Sequence, residues 1–279
     1  MTIAEQAALE WLAAGRPVIL ARVALAEGSA PREAGAAMAI AAETAVGTIG
    51  GGNLERRVLE AARLMLADDV GTARLAFPLG PALGQCCGGR VELDLVRLQP
   101  EDAATLEAGM RAAAAAWPQV VIFGAGHVGR ALASSLEPLP CRVAVVDERA
   151  EELARLQTRH AGRHLRPLDA HAIDVVPPGG YALVMTYSHP LDLDLVEAGL
   201  KRGDLAWLGL IGSATKRARF VRQLRARGLA PERIERLVCP IGIGGIEGKE
   251  PAVIAAATTA QLLLAFEAKA AQLRLRTMA

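Results

Sequence analysis

The spacing of apolar positions changes character near residue 118. Before it, short helical and strand patterns are mixed. Residues 4–13 carry apolar side chains at helical spacing, and Arg16-Pro17 ends that helix ahead of the β-rich run from Val18 to Leu25. A loop containing Gly28-Ser29-Ala30-Pro31-Arg32 leads to a short strand at 38–41. The glycines of Thr48-Ile49-Gly50-Gly51-Gly52-Asn53 end the next strand, and Asn53 is placed to cap a helix over 54–67. Leu54, Val58, Leu59, Ala62 and Leu66 form the apolar face of that helix, with Glu55, Arg56 and Arg63 outward. Strands follow at 72–77 and 90–98, the second alternating Val91, Leu93 and Leu95 with Glu92 and Asp94. Residues 1–100 thus read as a small α+β domain.

Pro100, an alanine-rich stretch and Trp117-Pro118 make residues 101–118 a helical connector. Beyond it the periods alternate regularly: strands at 119–123, 142–146, 164–167, 181–186 and 206–211, with helices at 127–136, 149–158, 190–202 and 213–227 between them and a last helix over 251–270. This βαβ rhythm predicts a parallel sheet covered on both faces. The fold class is therefore α/β, a C-terminal Rossmann-like domain over 119–279 joined to the smaller N-terminal domain.

A length of 279 residues suits two domains. With 52% hydrophobic and 22% charged residues the chain reads as soluble and globular, and 31 Lys+Arg against 30 Asp+Glu leave a net charge of +1. That balance argues against a nucleic-acid partner, which calls for a basic surplus or stripe. The longest apolar stretch, 253–266, falls short of the roughly 20 residues of a membrane span. The acidic start of the chain lacks the basic residues of an export signal. Four cysteines exclude a disulfide-stapled fold. Two of them, Cys86 and Cys87, are adjacent, and a bridge between neighbours about 3.8 Å apart lies below the relaxed range of disulfides. Free thiols in a reducing cytoplasm are expected.

Phe123-Gly124-Ala125-Gly126-His127-Val128-Gly129 follows a strand and opens a helix, as a dinucleotide fold requires. Gly124 makes the tight turn, Gly126 admits a pyrophosphate, and Gly129 lets helix and strand approach. Asp147 ends the next strand, where a carboxylate can hold a ribose diol. His189 lies past the carboxyl end of a later strand, a candidate acid or base if the ligand is NAD(P). A capping histidine is the plainer reading, and the domain can equally hold another nucleotide or none. His160 and His164 are separated by Gly162 and share no helical face, so a metal site there is not expected.

In the first domain, Gly50, Gly51 and Gly52 offer backbone N–H groups at a helix start, suited to an anion. Ser29 and Arg32 add a hydroxyl and a guanidinium for the same anion. Gln85-Cys86-Cys87-Gly88-Gly89 sets two thiols among glycines, where a ligand can approach backbone and sulfur together. Soft thiolates suit soft metal centres, but without a C-x-x-C pair a closed zinc site is excluded.

Taken in order, these segments resemble the XdhC/CoxI family, accessory proteins that mature molybdenum hydroxylases. The resemblance runs from Gly28-Ser29-Ala30-Pro31-Arg32 through the glycine turn, Gln85-Cys86-Cys87-Gly88-Gly89 and the Gly124–Gly129 loop. It continues in Met185-Thr186-Tyr187-Ser188-His189, Gly212-Ser213-Ala214-Thr215-Lys216 and Pro240-Ile241-Gly242. It implies a chaperone rather than an enzyme, one that binds molybdenum cofactor in its molybdopterin form. Such a protein presents the cofactor to a cysteine desulfurase for sulfuration and passes it to the molybdenum subunit of xanthine dehydrogenase. A homodimer is implied as well. On that reading Cys86 or Cys87 contacts molybdenum, Gln85 flanks them, and Ser29, Arg32 and Gly50 to Gly52 hold pterin and phosphate. Two alternatives stay open: an NAD(P)-dependent oxidoreductase using Gly124, Gly126, Gly129, Asp147 and His189, and a docking scaffold without a ligand.

Overall fold

The computed structural model describes residues 2–79 and 89–277. Thr2 caps α1 (Ile3–Ala13): its hydroxyl accepts the Glu5 N–H while the Glu5 carboxylate accepts the Thr2 N–H. The chain then enters β1 (Val18–Gly28), followed by β2 (Ala37–Ile40), β3 (Ala45–Gly47), α2 (Gly52–Ala67), β4 (Thr72–Leu79) and β5 (Gly89–Leu98). These five strands form an antiparallel sheet in the order β3-β2-β1-β5-β4. The period of two sorts side chains between its faces. Ile19, Ala21 and Val23 join Met38, Ile40, Leu93 and Leu95 under Leu54, Val58 and Ala62 of α2. Val18 and Leu20 join Ala37 and Ala39 against Ala4, Ala8 and Leu12 of α1.

Residues expected to form a connector instead fold back. Ala103 and Leu106 of α3 (Ala103–Ala115) pack into the α1 cluster, and the chain divides into compact units at Ala116 and Trp117.

The second unit runs β6 (Gln119–Phe123), α4 (His127–Leu136), β7 (Arg142–Asp147), α5 (Ala150–Ala154), β8 (Gly162–Leu165), β9 (Tyr181–Val184), α6 (His189–Arg202) and β10 (Trp207–Leu210). It ends with α7 (Ala214–Ala226), α8 (Pro231–Ile234), β11 (Leu237–Val238) and α9 (Pro251–Thr277). Its six strands are parallel, ordered β11-β10-β9-β6-β7-β8. Read from β8, this is third, second, first, fourth, fifth, sixth, the Rossmann order, with the switch point between β6 and β9. Val121, Phe123, Val146 and Val184 fill one face of the sheet, and Val120, Ile122, Val145 and Leu183 fill the other.

Three expectations change. The helix expected over 149–158 stops at Ala154, because the chain must turn in time to enter the sheet at Gly162 rather than at 164. Asn53 is not a cap: α2 begins two residues earlier than expected, at Gly52, with Gly51 at the N-cap position and φ 77°. The last helix reaches Thr277, and its span Pro251–Leu275 is long and apolar enough to cross a membrane by length and composition, contrary to the shorter stretch read from sequence. In this fold Ala255, Ala257, Thr258 and Leu262 of that helix are buried.

Candidate functional site

Two loop clusters carry the residues singled out by sequence, one in each unit. In the first, Gly28 pairs with Gly89 and Gly89 pairs with Leu79, so both anchors of the segment 80–88 lie beside the end of β1. A Cβ on Gly89 would sit 2.4 Å from the Glu27 carbonyl and 3.3 Å from the Ser29 nitrogen. A Cβ on Gly50 would meet Pro31 Cγ at 2.5 Å, and Gly50 has φ 132°. The loop of Ser29 and Arg32, the glycine turn and the flank of the thiol loop therefore converge on one end of the sheet. Gln85, Cys86 and Cys87 themselves lie outside the described residues.

The glycine turn is not an open anion nest. Glu55 reaches back from α2, and its Oε1 accepts the N–H of Ile49 at 3.0 Å and of Gly51 at 2.9 Å as well as the Thr48 hydroxyl. Burial alone would raise the Glu55 pKa, but these donors hold it below the ordinary carboxylate value. A carboxylate thus occupies part of the place proposed for a phosphate at Gly50 and Gly51. Ser29 is exposed and Arg32 half-buried, with its guanidinium 3.7 Å from Glu33.

In the second unit the three glycines differ in what surrounds them. Gly124 has φ 115°, and a Cβ there would lie 2.3 Å from the Met185 carbonyl, so the loops after β6 and β9 touch across the switch point. A Cβ on Gly129 would lie 2.0 Å from the Gly124 carbonyl, which sets how closely α4 lies on β6. Nothing lies within 4 Å of the Cβ position of Gly126. Arg130 closes the loop from α4, donating to the Ala125 carbonyl at 2.7 Å and pairing with Glu152.

Asp147 departs from its expected role. It is fully buried: Oδ2 accepts the Ala125 N–H at 2.7 Å and Arg149 Nη2 at 2.8 Å, while Oδ1 accepts the Arg149 N–H and Nε at 2.9 Å each. Burial would raise its pKa, and the Arg149 and Ala125 donors lower it overall. With both oxygens taken it clamps the glycine loop and offers nothing to a ribose diol. Arg149 also lies over the Tyr187 ring, 4.8 Å from its centroid.

Beyond the carboxyl ends of β9 and β10 a cavity of about 560 Å³ opens, lined by Tyr187, His189, Gly212, Ser213, Lys216 and Arg219 among others. His189, exposed, is the first residue of α6. Beneath it Asp192, 1% exposed, accepts the Thr186 N–H at 2.9 Å and hydroxyl at 2.7 Å, and Lys216 Nζ at 2.7 Å. Lys216 also donates to the Ile211 carbonyl at 2.9 Å.

Residues 120–262 match the family described as XdhC Rossmann domain, and residues 11–78 match the XdhC and CoxI family. The chain belongs to the XdhC family. The uncharacterized protein YqeB of Escherichia coli is 31% identical over 259 residues, covering 88% of this chain and 43% of YqeB. The chain thus spans less than half the length of that curated relative. A crystal structure from Bacillus halodurans, described as a xanthine dehydrogenase, superposes with a TM-score of 0.77 at 19% identity over 96% of each chain, a likeness of fold.

Within this XdhC chain, Asp192 and Glu55 escaped sequence reading because both look like solvent-facing acids at helix starts. Only the i, i+6 return of Asp192 to Thr186, and of Glu55 to Ile49, would have signalled them. Among the described residues no group of three or more His, Cys, Asp or Glu side chains is placed to hold a metal ion. The described thiols, Cys141 and Cys239, are buried, and burial pushes Cys141 up to about 11.

Proposed function

We propose that this XdhC protein is an accessory factor of xanthine dehydrogenase, carrying molybdenum cofactor as cargo in its N-terminal domain. The observation that carries the reading is the family match in both halves of the chain. The convergence of Ser29, Arg32, the glycine turn and the anchors of the thiol loop on one sheet end supports it. Because Glu55 already fills part of the glycine turn, the pterin phosphate falls to Ser29 and Arg32, with Gly50 to Gly52 shaping the wall. Cys86 and Cys87, flanked by Gln85, supply soft donors toward molybdenum or its sulfido ligand. A cysteine desulfurase is the proposed source of that sulfur, the molybdenum subunit of xanthine dehydrogenase the recipient, and a homodimer the working assembly. The cytoplasm, where thiols stay reduced, is the proposed setting.

The test is loading. Protein produced in cells that make molybdopterin should release a fluorescent pterin on oxidation, near one per chain, and Cys86→Ala/Cys87→Ala should retain at least about tenfold less. Equal loading of the two proteins would remove the thiols from the site, and a pterin-free wild type would remove the cargo. The NAD(P) oxidoreductase reading is weakened by Asp147, whose oxygens are occupied by Ala125 and Arg149. Any saturable binding of NADH, followed by nicotinamide fluorescence, should survive Gly126→Asp, since on this reading the Gly124–Gly129 loop holds no dinucleotide.

A further inference from the structure

The cavity at the ends of β9 and β10 has no part in cargo binding as proposed above, and none of its lining residues belongs to the Gly124–Gly129 loop. Its volume of about 560 Å³ falls in the range of small-molecule sites. Three sources of positive potential meet there. Arg219 is exposed on its wall and, among the described residues, has no hydrogen bond or ion pair. The starts of α6 and α7, helices of 14 and 13 residues, both open into it, each equivalent to roughly half a positive charge. Ser188 at the α6 start makes no side-chain capping bond, and at the α7 start Ser213 takes only the Lys216 N–H, so the earlier amides of both helices, save Pro190 of α6, which has no N–H, lack intrahelical partners.

Lys216 is set for the same task. Two of its three N–H donors are accounted for by Asp192 and Ile211. Its stem passes over Gly212, where a Cβ would lie 2.6 Å from Lys216 Cδ, so glycine at 212 is what lets the ammonium tuck in at the cavity floor. Asp192 cancels the Lys216 charge, leaving Arg219 and the two helix starts as the net field. The hydroxyls of Ser213 and Thr215 line the same wall, and Tyr187 and Ile211 offer apolar surface.

The geometry points to a second ligand site here, one that takes an organic phosphate: the phosphate at the α7 start with Arg219, and the carbon part of the ligand against Tyr187 and Ile211. The site stands whether or not the N-terminal domain carries a pterin.

The experiment is calorimetric titration of the full chain, free of pterin, with 5′-AMP as the probe and adenosine as its phosphate-free control. The wild type should bind 5′-AMP and bind adenosine at least about tenfold more weakly, since the charge-assisted contacts are lost. Arg219→Glu should weaken 5′-AMP binding by about tenfold or more, and Arg219→Lys by less. Because Arg219 is exposed and unpaired among the described residues, its variants should keep the wild-type melting temperature, and Gly126→Asp should leave 5′-AMP affinity unchanged. Absence of 5′-AMP binding by the wild type, unchanged affinity in Arg219→Glu, or loss in Gly126→Asp with Arg219→Glu intact would each overturn the site. A failed pterin-loading test leaves all of these readings as they are.

Discussion

At the scale of single residues, the glycine loop shows how similar letters answer to different constraints. Gly129 faces a backbone carbonyl 2.0 Å from where its Cβ would be, whereas Gly126 faces open space at φ −66°. Gly129→Ala should therefore push α4 off β6 and cost about 3 kcal/mol, while Gly126→Ala should cost about 1 kcal/mol or less, the loss of a favourable N-cap. Urea unfolding of the two variants side by side checks this, and equal losses would refute it. Asp147 carries a pH prediction. Its folded pKa lies below its unfolded value, despite burial, because Arg149 and Ala125 donate to the carboxylate. A depressed carboxylate contributes stability that is full above the unfolded pKa and is lost as pH falls through the folded one. Asp147→Asn should thus cost about 3 kcal/mol at neutral pH, since it leaves Arg149 without its buried partner, and the gap from wild type should narrow below about pH 4. Denaturation midpoints measured against pH test both statements, and a gap that widens in acid would contradict them.

Among elements, the decisive contacts are those that tie a helix start to the loop before it. Glu55 does this for α2, and Asp192 does it for α6. Glu55→Ala removes one acceptor serving Ile49, Gly51 and Thr48, so a loss of about 1 to 2 kcal/mol is expected, together with faster hydrogen exchange at the Ile49 and Gly51 amides. Exchange at wild-type rates would show that the glycine turn holds itself. The elements themselves were largely legible. The alternation of Val91, Leu93 and Leu95 gave β5 its buried face, and the strand-glycine-helix pattern placed β6 and α4. Their ends were less so, since the end of α5 depends on where the sheet takes up Gly162 and the start of α2 on a glycine with positive φ.

For the whole molecule, the division at Ala116 and Trp117 leaves each unit with its own apolar clusters. A fragment of residues 117–279 should therefore fold alone and melt in one cooperative transition by circular dichroism, and a broad, baseline-like melt would show that it depends on the first unit. Local order along the chain determined a great deal here: hydrophobic period fixes which face of a strand or helix is buried, and the glycine spacing fixes a turn, because both act over a few residues. That is why the α/β class and the positions of Gly124, Gly129 and His189 at strand ends are legible in the sequence alone. Tertiary structure alone decided which polar groups are already satisfied. Asp147 meets Ala125 across 22 positions and Lys216 meets Asp192 across 24, and no local pattern encodes such a pairing. A buried carboxylate bonded on both oxygens is closed to a ligand, and an arginine with no partner among the described residues at a cavity wall is open to one, so the assignment of sites rests on partners that only the packed chain supplies.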